Sequence, residues 1–191
     1  MTRLLNRQIK SHLGTKVWIM YQGENFNKGD KLIKPANESF IWCPTENLTS
    51  FELSKGDRIL FVKTKGISTQ ILQKEYLNNG TISNEWRLNE IWIGEVVSKI
   101  TSRFEYCLEN EINYFNSKLW RNDPIRQNKW RWSRVFSFKY IKCINVDISM
   151  SQLHKIKQTQ GFVEAVYQAY CYNKSREITL EEYRDLLESI I

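Results

Sequence analysis

The sequence predicts an α+β fold in which one small curved mixed β-sheet, open or closed into a small barrel, is flanked by helices. Five runs of large apolar and β-branched residues are typical of strands. Helical periodicity is concentrated after residue 150, and neither a repeat nor a Pro- or Ser-rich linker divides the chain. A chain of 191 residues buries one sizeable core comfortably and two only with difficulty. We therefore expect a single domain.

The elements follow from local patterns in chain order. Arg, Lys and Leu/Ile residues alternate at helical spacing up to Gly14, which predicts a basic N-terminal helix over residues 1–15, with the domain itself over residues 16–191. The predicted strands are residues 17–21, 39–43, 58–63, 90–98 and 135–143.

Three helices are predicted in the last third of the chain. Two of them cover residues 151–156 and 162–170, and the third closes the chain over residues 178–191. In the third, Thr179 followed by Glu182 has the form of a capping box. Its apolar positions fall on one face: Leu180, Tyr183, Leu186, Leu187 and Ile190.

The positive charge is concentrated in one segment. Residues 118–142 contain eight Lys or Arg and one acid, so their net charge of eight minus one equals the +7 of the whole chain. The same segment contains Trp120, Trp130 and Trp132. Cations interleaved with aromatic rings are typical of a surface that holds phosphates and stacks bases. The alternative is a solvated basic surface with core tryptophans beneath it. The cations expected on the phosphates are Lys118, Arg121, Arg126, Lys129, Arg131 and Arg134.

Catalytic and metal-binding patterns are not found in the sequence. It has no phosphate-binding glycine loop, no HExxH and no GxSxG. Glu109 and Glu111 have no obvious partner for metal-assisted hydrolysis. The four cysteines form no CxxC pair and only two histidines accompany them, so we interpret them as reduced, mostly buried thiols. We expect a protein that is not an enzyme and that needs neither a cofactor nor a metal.

Several short segments resemble one known family. Ile41, Trp42 and Cys43, followed by Thr45 and Glu46, are similar to the Ile-Trp-Cys-x-Thr-Glu stretch of some YTH domains, which bind N6-methyladenine. Residues 132–141 are similar to the family's Trp-x-x-x-Phe strand, and residues 151–156 to its Ser-Gln-Leu-x-x-Ile segment. The related EVE and PUA-like domains share this fold. A methyladenine-binding version occurs at the N-terminus of some McrB-type restriction subunits.

The resemblance implies a YTH-like or PUA-like fold with an aromatic cage. By motif position Trp42 and Trp132 are two of its walls. The third family tryptophan falls in an insertion, where Trp120 is our first choice and Trp130 the alternative. The groups that the resemblance assigns to the edge of the base are Tyr21, Gln22, Asn25 and the backbone of Cys43.

The expected function is therefore recognition of a modified base, with N6-methyladenine as the first candidate, by flipping it into the cage. The partners would be methylated DNA or RNA and a nuclease or NTPase subunit or domain, in a modification-dependent restriction or antiviral defence system. One alternative is a PUA-like RNA-binding module that is indifferent to methylation. A weaker alternative is an enzyme that acts on a base through Cys43 and Glu46. Because no apolar run of membrane-spanning length or secretion signal is found, we expect a cytoplasmic protein without a membrane partner.

Overall fold

The computed structural model describes residues 16–21, 39–42, 53–102, 105, 108–109, 122–123, 129–130 and 134–190, and for 39–42, 122–123, 129–130 and 134–135 it describes the backbone. The N-terminal helix predicted over residues 1–15 lies outside these residues.

The described strands form an open mixed sheet. In chain order they are β1 (Val17–Tyr21), β2 (Ser39–Trp42), β3 (Arg58–Lys65), β4 (Arg87–Val96), β5 (Thr101–Ser102), β6 (Asn122–Asp123), β7 (Lys129–Trp130), β8 (Arg134–Ser149) and β9 (Arg176–Ile178). The sheet order is β2-β8-β4-β3-β1-β9, with β5 also paired to β8, and β6 and β7 form a separate two-stranded ribbon. Strands β1 and β3 are parallel, whereas the pairs β1–β9 and β3–β4 on either side are antiparallel. The order runs from one edge to the other without closing, so the described strands form an open sheet and not a barrel.

Four helices accompany the sheet in the described part of the chain, which confirms the predicted α+β class. They are α1 (Thr69–Asn79), α2 (Met150–Lys155), α3 (Gln160–Tyr172) and α4 (Leu180–Ile190), with a 3₁₀ turn over Lys157–Thr159 between α2 and α3. The predicted capping box at the start of α4 is confirmed. The backbone N–H of Thr179 donates to Glu182 Oε2 at 2.7 Å, and the N–H of Glu182 donates to Thr179 Oγ1 at 3.1 Å.

Several predicted boundaries are corrected, among them the end of β3, which is Lys65 and not residue 63. Residue 178 belongs to β9 and not to the last helix, because Ile178 pairs with Val17 of β1. Strand β4 covers Arg87–Val96 where residues 90–98 were predicted. Strand β8 continues to Ser149 where the prediction ended at residue 143.

Hydrophobic side chains fill both faces of the sheet. Along β1, Val17 and Ile19 point to one face, while Trp18 and Met20 point to the other, as the two-residue period of a strand requires. The first face packs against the helices through fully buried residues such as Trp86 and Phe162, and we call this the helix-side core. The second core lies on the opposite face, and none of the described helices contributes to it. Its members are Trp18, Met20, Leu53, Ile59, Phe61, Val96, Phe136 and Phe138.

Because of a bulge, the long strand β8 contributes side chains to both cores. Gly94 of β4 pairs with Tyr140, and the preceding Ile93 pairs with Lys142, so Ile141 is an extra residue on β8. An extra residue reverses which face each later side chain points to. Before the bulge, Phe136 and Phe138 belong to the second core. After it, three residues of the same parity pack on the helix-side core: Ile144, Val146 and Ile148.

One buried carboxylate fixes the start of β1 next to the second core. Asp57 is 3% exposed and accepts three N–H groups. They are the backbone N–H of Lys16 at 3.1 Å, the indole N–H of Trp18 at 3.1 Å and the backbone N–H of Ser54 at 2.9 Å. The three hydrogen bonds tie β1 to the turn that precedes β3.

Candidate nucleic-acid interface

Two of the four candidate cage tryptophans lie on strands whose backbone is described. Trp42 is the last residue of β2, and Trp130 is the last residue of β7. Trp120 and Trp132 lie outside the described residues, as do Gln22, Asn25 and Cys43. The cage therefore stays a prediction.

The expected phosphate-binding cations are described only in part. Lys129 lies in β7, paired with Asp123 of β6, and Arg134 is the first residue of β8, paired with Ser102 of β5. The other four expected cations lie outside the described residues: Lys118, Arg121, Arg126 and Arg131.

Backbone pairing brings the strand of Trp42 to the strand that follows Trp132. In the antiparallel pair of β2 with β8, Trp42 is opposite Phe136 and Phe40 is opposite Phe138. Phe136 is four residues after Trp132 in the chain. Two segments about 90 residues apart, both similar to motifs of the YTH family, are thus next to each other at the start of β8.

Tyr21 is described in full, and its ring lies on the helix side of the sheet. It packs on the ring of Tyr170 of α3, with centroids 4.5 Å apart, and Tyr170 stacks in turn on Trp86 at 6.1 Å. The Tyr170 hydroxyl donates to the backbone oxygen of Ile67 at 2.8 Å. The aromatic ring of Tyr21 is therefore part of the helix-side core, on the opposite face from the second core.

The second core is filled at the start of β8. The rings of Phe61 and Phe138 are 4.8 Å apart, and those of Phe136 and Phe138 are 6.3 Å apart. Gly94 lies directly beneath Phe138, so that an added Cβ would be 2.6 Å from its ring. The three phenylalanine side chains are buried. Trp42, the last residue of β2, is opposite one of them, Phe136.

Further along β8 the same face becomes half-exposed and polar. The ring of Tyr140 is 38% exposed and meets the half-buried Trp92 edge-on, with centroids 5.3 Å apart. Beyond this pair, the strand register aligns Lys63, Glu90 and Asn145 across three strands. Along β8, this face is thus apolar and buried at Phe136 and Phe138, aromatic and half-exposed at Tyr140 and Trp92, and polar near Asn145.

Sequence reasoning did not select Tyr140 or Trp92 as site residues. Each lies inside an apolar run that predicts a strand, and a strand pattern does not show which strands pair. Their contact depends on the bulge at Ile141, which is not visible in the sequence. The one signal available was that Tyr140 lies within the basic segment, next to Lys139 and close to Lys142.

Two ionisable groups on this face have shifted pKa values. Burial, and then the negative charge of Glu90, raise the pKa of the Cys143 thiol, so little of the reactive thiolate forms near neutral pH. Hydrogen bonds from Arg87 and then Lys65 lower the pKa of the Asp147 carboxyl. The distances are 2.7 Å from Arg87 Nε and 3.2 Å from Lys65 Nζ to Asp147 Oδ1.

The described residues hold no group of three or more His, Cys, Asp or Glu side chains arranged to bind a metal ion. Two of the four cysteines, Cys143 and Cys171, are described; both are free thiols and both are half-buried. Within the described ranges, no helix is long and apolar enough to cross a membrane.

No protein-family model matches this chain, and no curated protein sequence matches it. The solved structures that match include three that are similar over 92% of the chain. A hypothetical protein from Leishmania major has a TM-score of 0.48 and 14% identity, with 94% of its own chain covered. A variant of ZmASCH from Zymomonas mobilis has a TM-score of 0.46 and 10% identity, with 97% covered. The human THYN1 protein, in complex with DNA that contains 5-methylcytosine, has a TM-score of 0.42 and 12% identity, with 97% covered. All three TM-scores are below 0.5.

Proposed function

We propose that this chain is a nucleic-acid-binding module that recognises a modified base, with N6-methyladenine as the first candidate. The base would be flipped out of the strand and held between Trp42, Trp132 and either Trp120 or Trp130. In a modification-dependent restriction or defence system, the module would read DNA while a separate nuclease or NTPase acted on it. The chain itself would carry out no catalysis.

The observation that carries this proposal is where the charge of the chain is concentrated. Residues 118–142 contain three tryptophans and have a net charge of +7, equal to that of the whole chain. The segment ends in β8, and β8 pairs with the strand that carries Trp42. Cations and ring faces next to each other are what a single-stranded or flipped nucleotide needs.

In the proposed chemistry, the affinity for a base and the discrimination between methylated and plain adenine come from different contacts. Stacking on aromatic rings contributes about 1–3 kcal/mol per base and does not depend on the methyl group. Burying one methyl carbon adds only about 0.8 kcal/mol, or roughly fourfold. The rest of the preference would come from the hole that plain adenine leaves in the pocket and from the lower cost of opening a modified duplex. Hydrogen bonds to the base edge would reject other bases, because a wrong base leaves those groups unpaired.

A binding panel at fixed salt tests the proposal. DNA and RNA oligonucleotides that carry methyladenine, methylcytosine or no modification are titrated into the full chain and into its Trp42→Ala and Trp132→Ala variants. We expect the wild type to prefer one modified base, and each variant to lose that preference. Full discrimination in both variants would contradict the cage.

Salt dependence tests the basic segment separately. Each phosphate contact removed should make the slope of log K against log salt less negative by about 0.7 for a single strand. We therefore expect Arg131→Gln and Arg134→Gln each to make the slope less negative by about that amount. Lys155→Gln and Lys157→Gln are charge-matched controls, since both residues are exposed in the helix layer. Binding that falls with salt but ignores methylation would instead support the RNA-binding alternative.

A further inference from the structure

We propose that Tyr140 is a second stacking site, which holds an unmodified base a few positions from the flipped one on the same single strand. This inference rests on the proposed nucleic-acid function and adds a contact outside the cage. Its evidence is the geometry of β8 around the bulge, where a partly exposed aromatic ring lies against a second, half-buried ring.

Tyr140 is partly exposed, and its ring packs against a second ring. The residue is 38% exposed, and its ring meets that of Trp92 edge-on with centroids 5.3 Å apart. On β4, the residue opposite Tyr140 is Gly94, whose lack of a side chain leaves room for the neighbouring ring of Phe138. The bulge residue Ile141 is 39% exposed. A ring held in this way stacks on a base with little further loss of side-chain freedom.

Basic residues flank Tyr140 in the chain, but the two nearest are on the other face of the sheet. Lys139 is opposite Glu95 and Lys142 is opposite Ile93, so both are on the helix side. Lys63 and Glu90 lie further along the face of Tyr140, so stacking, and not charge, is the contact that Tyr140 would supply. The pairing of β2 with β8 ends at Lys139, so among the described strands only β4 pairs with β8 at Tyr140.

The distance to the cage strand separates the two sites. Trp42 pairs with Phe136, and Tyr140 is four residues further along β8. At about 3.3 Å per residue this is about 13 Å along the strand. Stacked bases are about 3.4 Å apart, so about 13 Å spans about four bases, and Tyr140 would contact a base about four positions from the one in the cage. This contact would raise affinity for any single strand that is long enough to reach it.

The experiment compares oligonucleotide lengths. Labelled single-stranded DNA of nine nucleotides with one central methyladenine, its unmethylated copy, and trinucleotide versions of both are titrated into the full chain by fluorescence anisotropy. The variants are Tyr140→Ala, Tyr140→Leu, which keeps an apolar contact with Trp92, and Tyr140→Trp. The matched control is Tyr172→Ala, because Tyr172 is also 38% exposed and meets the ring of Tyr167 edge-on at 5.9 Å on the helix side.

We expect Tyr140→Ala and Tyr140→Leu to weaken binding of the nine-nucleotide strand by about 5- to 150-fold, the range for one lost base stack. Binding of the trinucleotides and the ratio of methylated to plain affinity should stay unchanged. Tyr140→Trp should bind as well as the wild type or better, and Tyr172→Ala should match the wild type.

The outcomes distinguish this inference from the function on which it rests. If Tyr140→Leu and Tyr140→Ala bind the nine-nucleotide strand like the wild type, while Trp42→Ala loses the methyl preference, the second site is wrong and the function stands. If Tyr140→Leu changes the methyl ratio, the residue belongs to the cage and the inference is also wrong. If the wild type binds none of the oligonucleotides, the proposed function itself fails.

Discussion

Replacing Asp57 with alanine should destabilise the protein more than any surface substitution. Its carboxylate accepts the N–H groups of Lys16, Trp18 and Ser54 at 2.9–3.1 Å while itself 3% exposed. The variant removes the carboxylate that accepts all three hydrogen bonds. Because Trp18 belongs to the second core, the change also loosens that core beside the candidate interface.

The magnitude follows from how buried each donor is. The indole N–H of Trp18 makes a buried hydrogen bond, so losing a charged acceptor there costs about 2 kcal/mol. The two backbone hydrogen bonds, from Lys16 and Ser54, are partly buried, so water replaces the carboxylate and each loses about 0.5–1 kcal/mol. The total is about 3–4 kcal/mol. For a chain of this size it corresponds to a fall in Tm of roughly 6–16 °C.

Urea unfolding followed by circular dichroism measures this loss. Glu188→Ala, at an exposed position of α4, is the control and should change stability by less than about 0.5 kcal/mol. A double-mutant cycle of Asp57→Ala with Trp18→Phe should give a coupling of about 1–2 kcal/mol, because both changes remove the same hydrogen bond. A loss below about 1 kcal/mol, or additive effects in the cycle, would refute the reasoning.

Two further substitutions test the same face of the sheet. Gly94→Ala would place a Cβ 2.6 Å from the ring of Phe138, so we expect a loss of about 1–3 kcal/mol in urea unfolding; an unchanged midpoint would show that the ring moves aside freely. Arg87→Gln should raise the pKa of Asp147 towards its usual value, as measured by NMR titration of the carboxyl. Since a lowered pKa stabilises the fold above the unfolded-state pKa and the effect is lost as the pH falls through the folded value, the variant should lose less stability on acidification. An unshifted titration would contradict the ion pair.

Much of the sheet could be predicted because its strands have strong local patterns. Strand β1 begins and ends at the predicted residues, since all five of its residues are large and apolar and the residues that follow in the sequence are polar. The closing helix was equally readable from its capping box and from one apolar face, whose Leu186 and Leu187 are buried.

Elements that depend on tertiary contacts were missed. Helix α1 has a single buried residue, Leu72, so it lacks the periodic apolar face on which helix prediction depends. Its boundaries were nevertheless marked, by Ser68 as N-cap and by Gly80 in the left-handed conformation at its end. The end of β8 was missed because of the bulge at Ile141. Even-numbered residues pack in the second core before the bulge and on the helix-side core after it, so the alternating pattern does not continue along the strand.

The candidate site was also predictable only in part. The cage tryptophans and the cations come from motif positions and charge counting, which need no tertiary information. The pairing of Trp42 with Phe136, and the contact between Trp92 and Tyr140, depend on strand order and register. A single sequence without an alignment does not encode that order in any local pattern.

The most direct test of the central claim is a crystal structure of the full chain with a single-stranded oligonucleotide that carries one N6-methyladenine. We predict that the methylated base lies out of the strand, with the indole rings of Trp42 and Trp132 on its faces and the phosphates against the basic segment. A complex in which the base contacts neither indole, with both rings packed inside the protein, would contradict the account.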